Sequence, residues 1–165
     1  MAYTPKDMMF SIRGGDAKAV ETILSTSPEL LNLETPLGSW LHIAVDKNQK
    51  QIVELLLGAG LDINVRGGPS KNTALNVAAY CGHSGMVDFL LSKGAILDVS
   101  EPDRNPLFAA IHGGHQGIVQ ILLNAGIDAS IKYSGSTMKN MGAVDFAREW
   151  GRNEIAELIQ QYEMK

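Results

Sequence analysis

The stretch Thr73–Asp98, TALNVAAYCGHSGMVDFLLSKGAILD, contains two apolar runs separated by a glycine turn. Thr73 is a residue type that caps helices and Gly82 is one that ends them, so the first run predicts a short helix between these two residues. The second run predicts a helix over about 84–93, because its apolar residues recur at the spacing of one helix face. These apolar residues are Met86, Val87, Leu90 and Leu91.

The same 26-residue pattern occurs at Ser39–Asn64, Thr73–Asp98 and Asn105–Ser130. Equivalent apolar residues lie 34, 32 and 37 residues apart, at Leu41, Leu75, Leu107 and, in a weaker copy, Val144. An earlier copy is recognisable only by its second half, Gly15–Glu34. One helix pair of this size cannot bury its apolar stripe alone, so the copies are expected to stack.

Three landmarks recur in these copies. The sequence T-P-L-H-x-A is approximated at 39–44, 73–78 and 105–110, a Gly-His turn at 82–83 and 114–115, and a Gly-Ala-Asp-x-Asn ending at 60–64 and 126–130. With these motifs the chain resembles the ankyrin-repeat family from about residue 5 to residue 162. The resemblance implies an all-α fold, an α-solenoid of about five ankyrin repeats capped at both ends. We expect one domain over residues 1–165, with repeats at approximately 5–34, 35–67, 68–100, 101–133 and 134–165.

The last copy has Arg148 in place of the small apolar residue equivalent to Ala79, and it carries five further polar residues. This pattern is typical of a capping repeat with a hydrated outer face, and it predicts a free-standing protein. The residues are Arg148, Glu149, Arg152, Glu157, Gln160 and Gln161.

Composition narrows the classes of partner. The 14 basic residues are scattered and outnumbered by 18 acidic ones, with a net charge of -4, which disfavours nucleic acid and anionic membranes. Cys81 is the single cysteine, so no intramolecular disulfide forms and a reducing compartment is expected. The sequence has neither a signal peptide nor an apolar run of membrane-spanning length. We expect a cytoplasmic protein that is monomeric when free and has no cofactor.

Two histidines first suggest a metal site, because His112 and His115 are three residues apart on one helix turn. They would supply half of a tetrahedral zinc site, but no Cys, Asp or Glu lies within a turn of them. The resemblance implies structural roles instead for three histidines, with His42 hydrogen-bonding backbone between repeats and His83 and His115 stabilising turns. We therefore expect no metal.

One position near the end of the first helix differs in every copy. The residues there are Arg13, Asp46, Tyr80, His112 and Glu149, and the next position holds Lys47, Cys81, Gly113 and Trp150. The resemblance implies that these positions face a concave groove. Variation between otherwise similar copies is expected of a recognition surface, although drift at a tolerant surface has the same appearance. Tyr80 and Trp150 are the predicted anchors of a partner protein, and the alternative is that each shields a seam between repeats.

The connections between copies form a second candidate surface. Ile131–Gly142 is about four residues longer than the usual connection, and it is predicted to expose Tyr133, Met138, Lys139 and Met141. The alternative is a tolerated surface loop. The preceding connection, which is one residue short, contributes Glu101 and Arg104 as further candidates for partner contact.

The resemblance implies a non-catalytic module that binds a partner protein through its groove and hairpin loops. One specific form is an inhibitor of a basic toxin or enzyme, since small free-standing ankyrin-repeat proteins of bacteria include immunity proteins. An adaptor with two separable surfaces is a further alternative. An enzyme would need a reactive thiolate–imidazole pair, for which Cys81 and His112 are the candidates, but the sequence suggests neither an orienting group nor an oxyanion site.

Overall fold

The computed structural model describes residues 2–164, and these residues form ten α-helices and no strand, with three isolated β-bridges in the connections. The helices are α1 (Pro5–Gly14), α2 (Ala17–Thr26), α3 (Trp40–Asp46), α4 (Lys50–Gly58), α5 (Ala74–Cys81), α6 (Ser84–Ser92), α7 (Pro106–Gly113), α8 (Gln116–Asn124), α9 (Ala143–Glu149) and α10 (Asn153–Glu163). The all-α prediction is confirmed, and each of the five predicted repeat ranges contains one helix pair. None of the helices in the described range combines the length and apolar character that a membrane crossing requires.

The chain divides into two compact units, with the boundary between Ala74 and Leu75. In the first unit, α1 packs on α2 and α3, and α4 packs on the same two helices. In the second unit, α7 packs on α8 and α9, while α8 packs on α6 and α10, and α9 packs on α10. Successive helix pairs therefore stack within each unit. The assignment of residues 1–165 to a single domain stays a prediction.

A row of aliphatic side chains, one from each repeat, lies in the core. Each member is at most 2% exposed, and each lies on the second helix of its pair. We call this set the core row: Ile23, Leu56, Leu90, Leu122 and Ile159. One part of the predicted stripe differs, because Leu91 is only half-buried and Phe89 is buried beside Leu90.

The first repeat is a complete helix pair, although the sequence pattern showed only its second half. Thr4 caps α1, with its backbone N–H donating to the Asp7 carboxylate at 2.8 Å and its hydroxyl accepting from the Asp7 N–H at 3.3 Å. Met8 and Ile12 of α1 are fully buried. The missed signal is Thr4-Pro5 followed by Asp7, which is a helix start of the kind that opens the later copies.

The predicted polar face of the last repeat is confirmed. All six of its polar residues are exposed. The Arg148 guanidinium donates from Nη2 to Gln160 Oε1 at 3.1 Å, which joins α9 to α10 through polar groups. Water can therefore cover this face without exposing the core row.

Candidate functional site

Three aromatic rings from successive repeats meet in the second unit, and we call them the aromatic ladder. Tyr80 lies near the end of α5, His112 near the end of α7, and Trp150 directly after α9. The centroid of the His112 ring lies 5.4 Å from that of Tyr80 and 4.1 Å from that of Trp150, the latter edge to face. Tyr80 is 51% and Trp150 48% exposed, so the ladder offers ring surface to solvent.

Side chains of the following repeat fix the backbone beneath the ladder. His115 Nε2 donates to the carbonyl oxygen of Tyr80 at 2.9 Å, and Arg152 Nη2 donates to that of His112 at 3.3 Å. The carbonyls of Tyr80 and His112 are thus each held by a side chain of the repeat that comes next. The structural role that the resemblance implied for His115 is confirmed.

Glycine is required beneath these two side chains. Gly82 has a φ of 81°, and a Cβ there would lie 2.6 Å from the His115 ring. Gly114 has a φ of 75°, and a Cβ there would lie 2.8 Å from the Arg152 guanidinium carbon. Both glycines therefore supply a left-handed turn and the space for the side chain that covers it.

His42 has the implied backbone-bonding role in the first unit. Its Nε2 donates to the carbonyl oxygen of Asn72 at 2.9 Å, while Nδ1 accepts from the Ser39 backbone N–H at 3.2 Å and from the Ser39 hydroxyl at 2.9 Å. Because the carbonyl can only accept, Nε2 carries a hydrogen, and because Nδ1 accepts from the Ser39 N–H, the ring is neutral. Burial lowers the pKa of His42 from 6.5, opposed by the Asn72 carbonyl and the charge of Glu34.

Tyr133 corrects one prediction about the long connection, because its side chain is buried and not exposed. Its hydroxyl accepts from Asn105 Nδ2 at 2.9 Å and donates to the Val99 carbonyl oxygen at 2.8 Å, and its ring packs edge-on against Phe108. An antiparallel bridge pairs Tyr133 with Met141 at the base of the loop. Tyr133 therefore anchors the loop to the preceding repeat and offers no side chain to a partner.

The other candidates in the connections differ in exposure. Lys139 is exposed, while Met138 and Met141 are half-buried. Arg104 pairs with Glu101 at 3.4 Å, and 20% of the Arg104 side chain is exposed compared with 60% for Glu101. Of these five residues, Lys139 and Glu101 present most surface.

The helix ends of the first unit carry charges instead of rings. Arg13 is exposed in the last turn of α1. Asp46 and Lys47 are exposed at the end of α3 and form an ion pair of 2.8 Å. Glu149, in the second unit, is also exposed, directly before Trp150. All four lie at helix ends, as the sequence predicted, and their role in binding stays a prediction.

A family model of ankyrin repeats in three copies matches residues 41–133, which is more than half of the chain. The chain belongs to the ankyrin-repeat family. Ankyrin repeats generally mediate protein–protein interaction and are typically non-catalytic. The first and last helix pairs lie outside the matched residues and have the same helix-turn-helix pattern.

One relative shares only part of its length with this ankyrin-repeat chain. A protein named probable E3 ubiquitin-protein ligase XBOS33, from Oryza sativa subsp. japonica, is 40% identical over 86 residues. The match covers 51% of the chain and 16% of that relative. The likeness therefore concerns a small segment of the larger protein.

The metal site and the thiolate–imidazole pair that the sequence suggested both involve histidines of the second unit. His115 donates its Nε2 hydrogen to a backbone carbonyl, and the His112 ring lies against Tyr80 and Trp150. Within residues 2–164, no group of three or more His, Cys, Asp or Glu side chains is placed to hold a metal ion. Cys81 is half-buried at the end of α5.

Proposed function

We propose that the chain is a non-catalytic module that binds a partner protein through the aromatic ladder. The observation that carries this proposal is the exposure of Tyr80 and Trp150 in a unit whose other aromatic rings are more deeply buried. Tyrosine and tryptophan are enriched among the residues that dominate binding energy at protein interfaces. The ladder therefore has the composition of an interface centre.

The contacts within the ladder favour tight binding. The His112 ring separates Tyr80 from Trp150 and contacts both, so the rings are ordered before a partner arrives. Backbone hydrogen bonds from His115 and Arg152 hold the ladder from below. Ordering before binding lowers the conformational entropy that a complex loses when it forms.

We propose exposed charged residues of the second unit as the rim of this interface. In the second unit, Glu149, Glu101 and Lys139 are exposed and carry charges of both signs. In the first unit, the helix ends carry the charges of Arg13, Asp46 and Lys47. Charged rims steer a partner and select its orientation more than they add affinity.

Affinity capture from the native cell tests the proposal. Tyr80→Ala and Trp150→Ala should each remove the captured partner, because each variant deletes one exposed ring. Met164→Ala is the matched control, since Met164 is 84% exposed and lies outside the ladder. Capture that persists in both ladder variants would refute the aromatic ladder as the binding site.

The acidic balance favours one specific form of this function, inhibition of a basic partner. With a net charge of -4, the protein attracts a cationic toxin or enzyme in the cytoplasm, where its single Cys81 stays reduced. The test is whether the purified protein blocks a toxin encoded beside it. Inhibition that is relieved by Trp150→Ala supports this form, and undiminished toxin activity in the presence of excess protein rejects it.

A further inference from the structure

A second surface lies in the first unit, in a groove between α2 and α4 with a volume of about 390 Å³. We call it the α2–α4 groove. It is lined by Glu21, Leu24, Gln51, Glu54, Leu55, Gly58 and Ala59. None of these residues belongs to the aromatic ladder or to the charged helix ends, so the groove requires an explanation of its own.

Apolar and small residues form the groove between its acidic edges. Leu24 and Leu55 are both half-buried, which leaves part of each side chain open to an incoming apolar group. Gly58 and Ala59 are exposed, and a Cβ at Gly58 would meet no atom within 4 Å. The volume is within the range of about 300 to 1,000 Å³ found for ligand pockets, so it has room for a cluster of apolar side chains.

Two carboxylates flank these apolar residues. Glu21 of α2 and Glu54 of α4 hold equivalent positions in successive repeats, 33 residues apart, and both are exposed. Within residues 2–164, neither forms an ion pair with a lysine or arginine. An apolar groove with an acidic group on each of its two helices is complementary to a ligand that is both apolar and cationic.

We propose that the α2–α4 groove binds a basic amphipathic helical segment of a protein other than the ladder's partner. Leucine-like side chains at i and i+4 enter the groove between the two helices, and flanking lysine or arginine side chains pair with Glu21 and Glu54. A helix fits this place because the ridge of one helix packs into the groove between two others. With one binding site in each unit, the chain would join two proteins.

A random peptide library displayed on phage, panned against the whole chain, supplies the probe for the groove. Excess Gly58→Leu protein is added in solution as a competitor. Its new side chain fills the groove without touching the core, so it binds and removes only those peptides that recognise other surfaces. Gly117→Leu is the matched control, since Gly117 is also an exposed helix glycine at which a Cβ would meet no atom within 4 Å. Circular dichroism of both variants verifies that they are folded.

The proposal expects enriched peptides with leucine-like residues at i and i+4 next to lysine or arginine. Their binding should be lost in Gly58→Leu and retained in Gly117→Leu and in Tyr80→Ala. The double variant Glu21→Gln/Glu54→Gln should weaken them by about two- to thirty-fold, as expected for two exposed ion pairs. The proposal would be overturned if panning enriched no peptide whose binding depends on the groove. It would also be overturned if the enriched peptides were acidic and bound the double variant as well as the wild type.

Discussion

Each repeat contributes one residue to the core row and one to a helix-end row, and the two rows differ in how much they vary. The core row contains only leucine and isoleucine, all at most 2% exposed. The helix-end row contains a basic, two acidic and two aromatic-ring residues, none of them fully buried: Arg13, Asp46, Tyr80, His112 and Glu149.

The difference shows that the positions that stabilise the fold are separate from the variable positions that are open to solvent. Every repeat must bury an aliphatic side chain of similar volume, and each such burial contributes roughly 1.5 to 3 kcal/mol. The helix ends face solvent, so almost any side chain is compatible with the same packing. Variation in chemistry is therefore concentrated at positions that a partner can reach.

The largest effect is expected in the core row. Leu122→Ala should lower the free energy of unfolding by about 2 to 5 kcal/mol, because Leu122 is fully buried and its truncation leaves a cavity. Glu149→Ala, in the helix-end row, should change it by no more than about 0.5 kcal/mol. Urea denaturation measures the free energy of unfolding of both variants. Equal urea midpoints would contradict the prediction that the core row stabilises the fold more than the helix-end row.

The second largest effect on stability is expected at Tyr133, which the sequence predicted to be exposed and which the structure shows to be buried. Tyr133→Phe removes the hydroxyl that joins Asn105 to the Val99 carbonyl, which leaves the buried Asn105 amide without this acceptor and the half-buried carbonyl without this donor. The expected loss of unfolding free energy is about 1 to 3 kcal/mol. Lys139→Ala, in the same loop, is the control and should have a thermal midpoint near that of the wild type.

The buried residue His42 should make the free energy of unfolding depend on pH. Burial lowers its pKa below 6.5, so the unfolded chain binds a proton more readily than the folded chain does. The stabilising contribution of the neutral ring is complete above about pH 6.5 and decreases as the pH falls through the folded-state pKa. Wild-type protein should lose more unfolding free energy between about pH 7 and pH 5 than His42→Gln does. Parallel pH profiles of the two proteins would contradict this assignment.

The smallest effect on stability is expected within the aromatic ladder. A double-mutant cycle with His112→Ala and Trp150→Ala should give a coupling energy of about 0.5 to 1.5 kcal/mol, the range of an exposed ring pair. Trp150→Ala alone should be tolerated in the fold while partner capture is lost. A cost to stability as large as that of Leu122→Ala would instead make Trp150 a shield of the repeat seam.

Much of the architecture was predictable because it depends on local periodicity. Helix formation and the burial of one face require apolar residues at i, i+3 and i+4, so Leu90 and Leu122 were identified without coordinates. Glycines such as Gly82 marked the turns for an equally local reason. The repeat pattern showed only the second half of the first copy, because the apolar residues of its first helix do not match those of the later copies and only the short signal of Thr4 and Asp7 marks where that helix begins.

By itself, the sequence determined the repeat length, most of the helix pairs, the apolar stripe that includes Leu90, and the variable positions at the helix ends. Only the tertiary structure decided that Tyr80, His112 and Trp150 touch, that Tyr133 is buried, and that a groove with two acids lies between α2 and α4. These outcomes depend on contacts between residues 28 to 40 positions apart, such as those of His115 and Arg152 with ladder carbonyls. Such contacts are set by how repeats stack, which local periodicity does not encode.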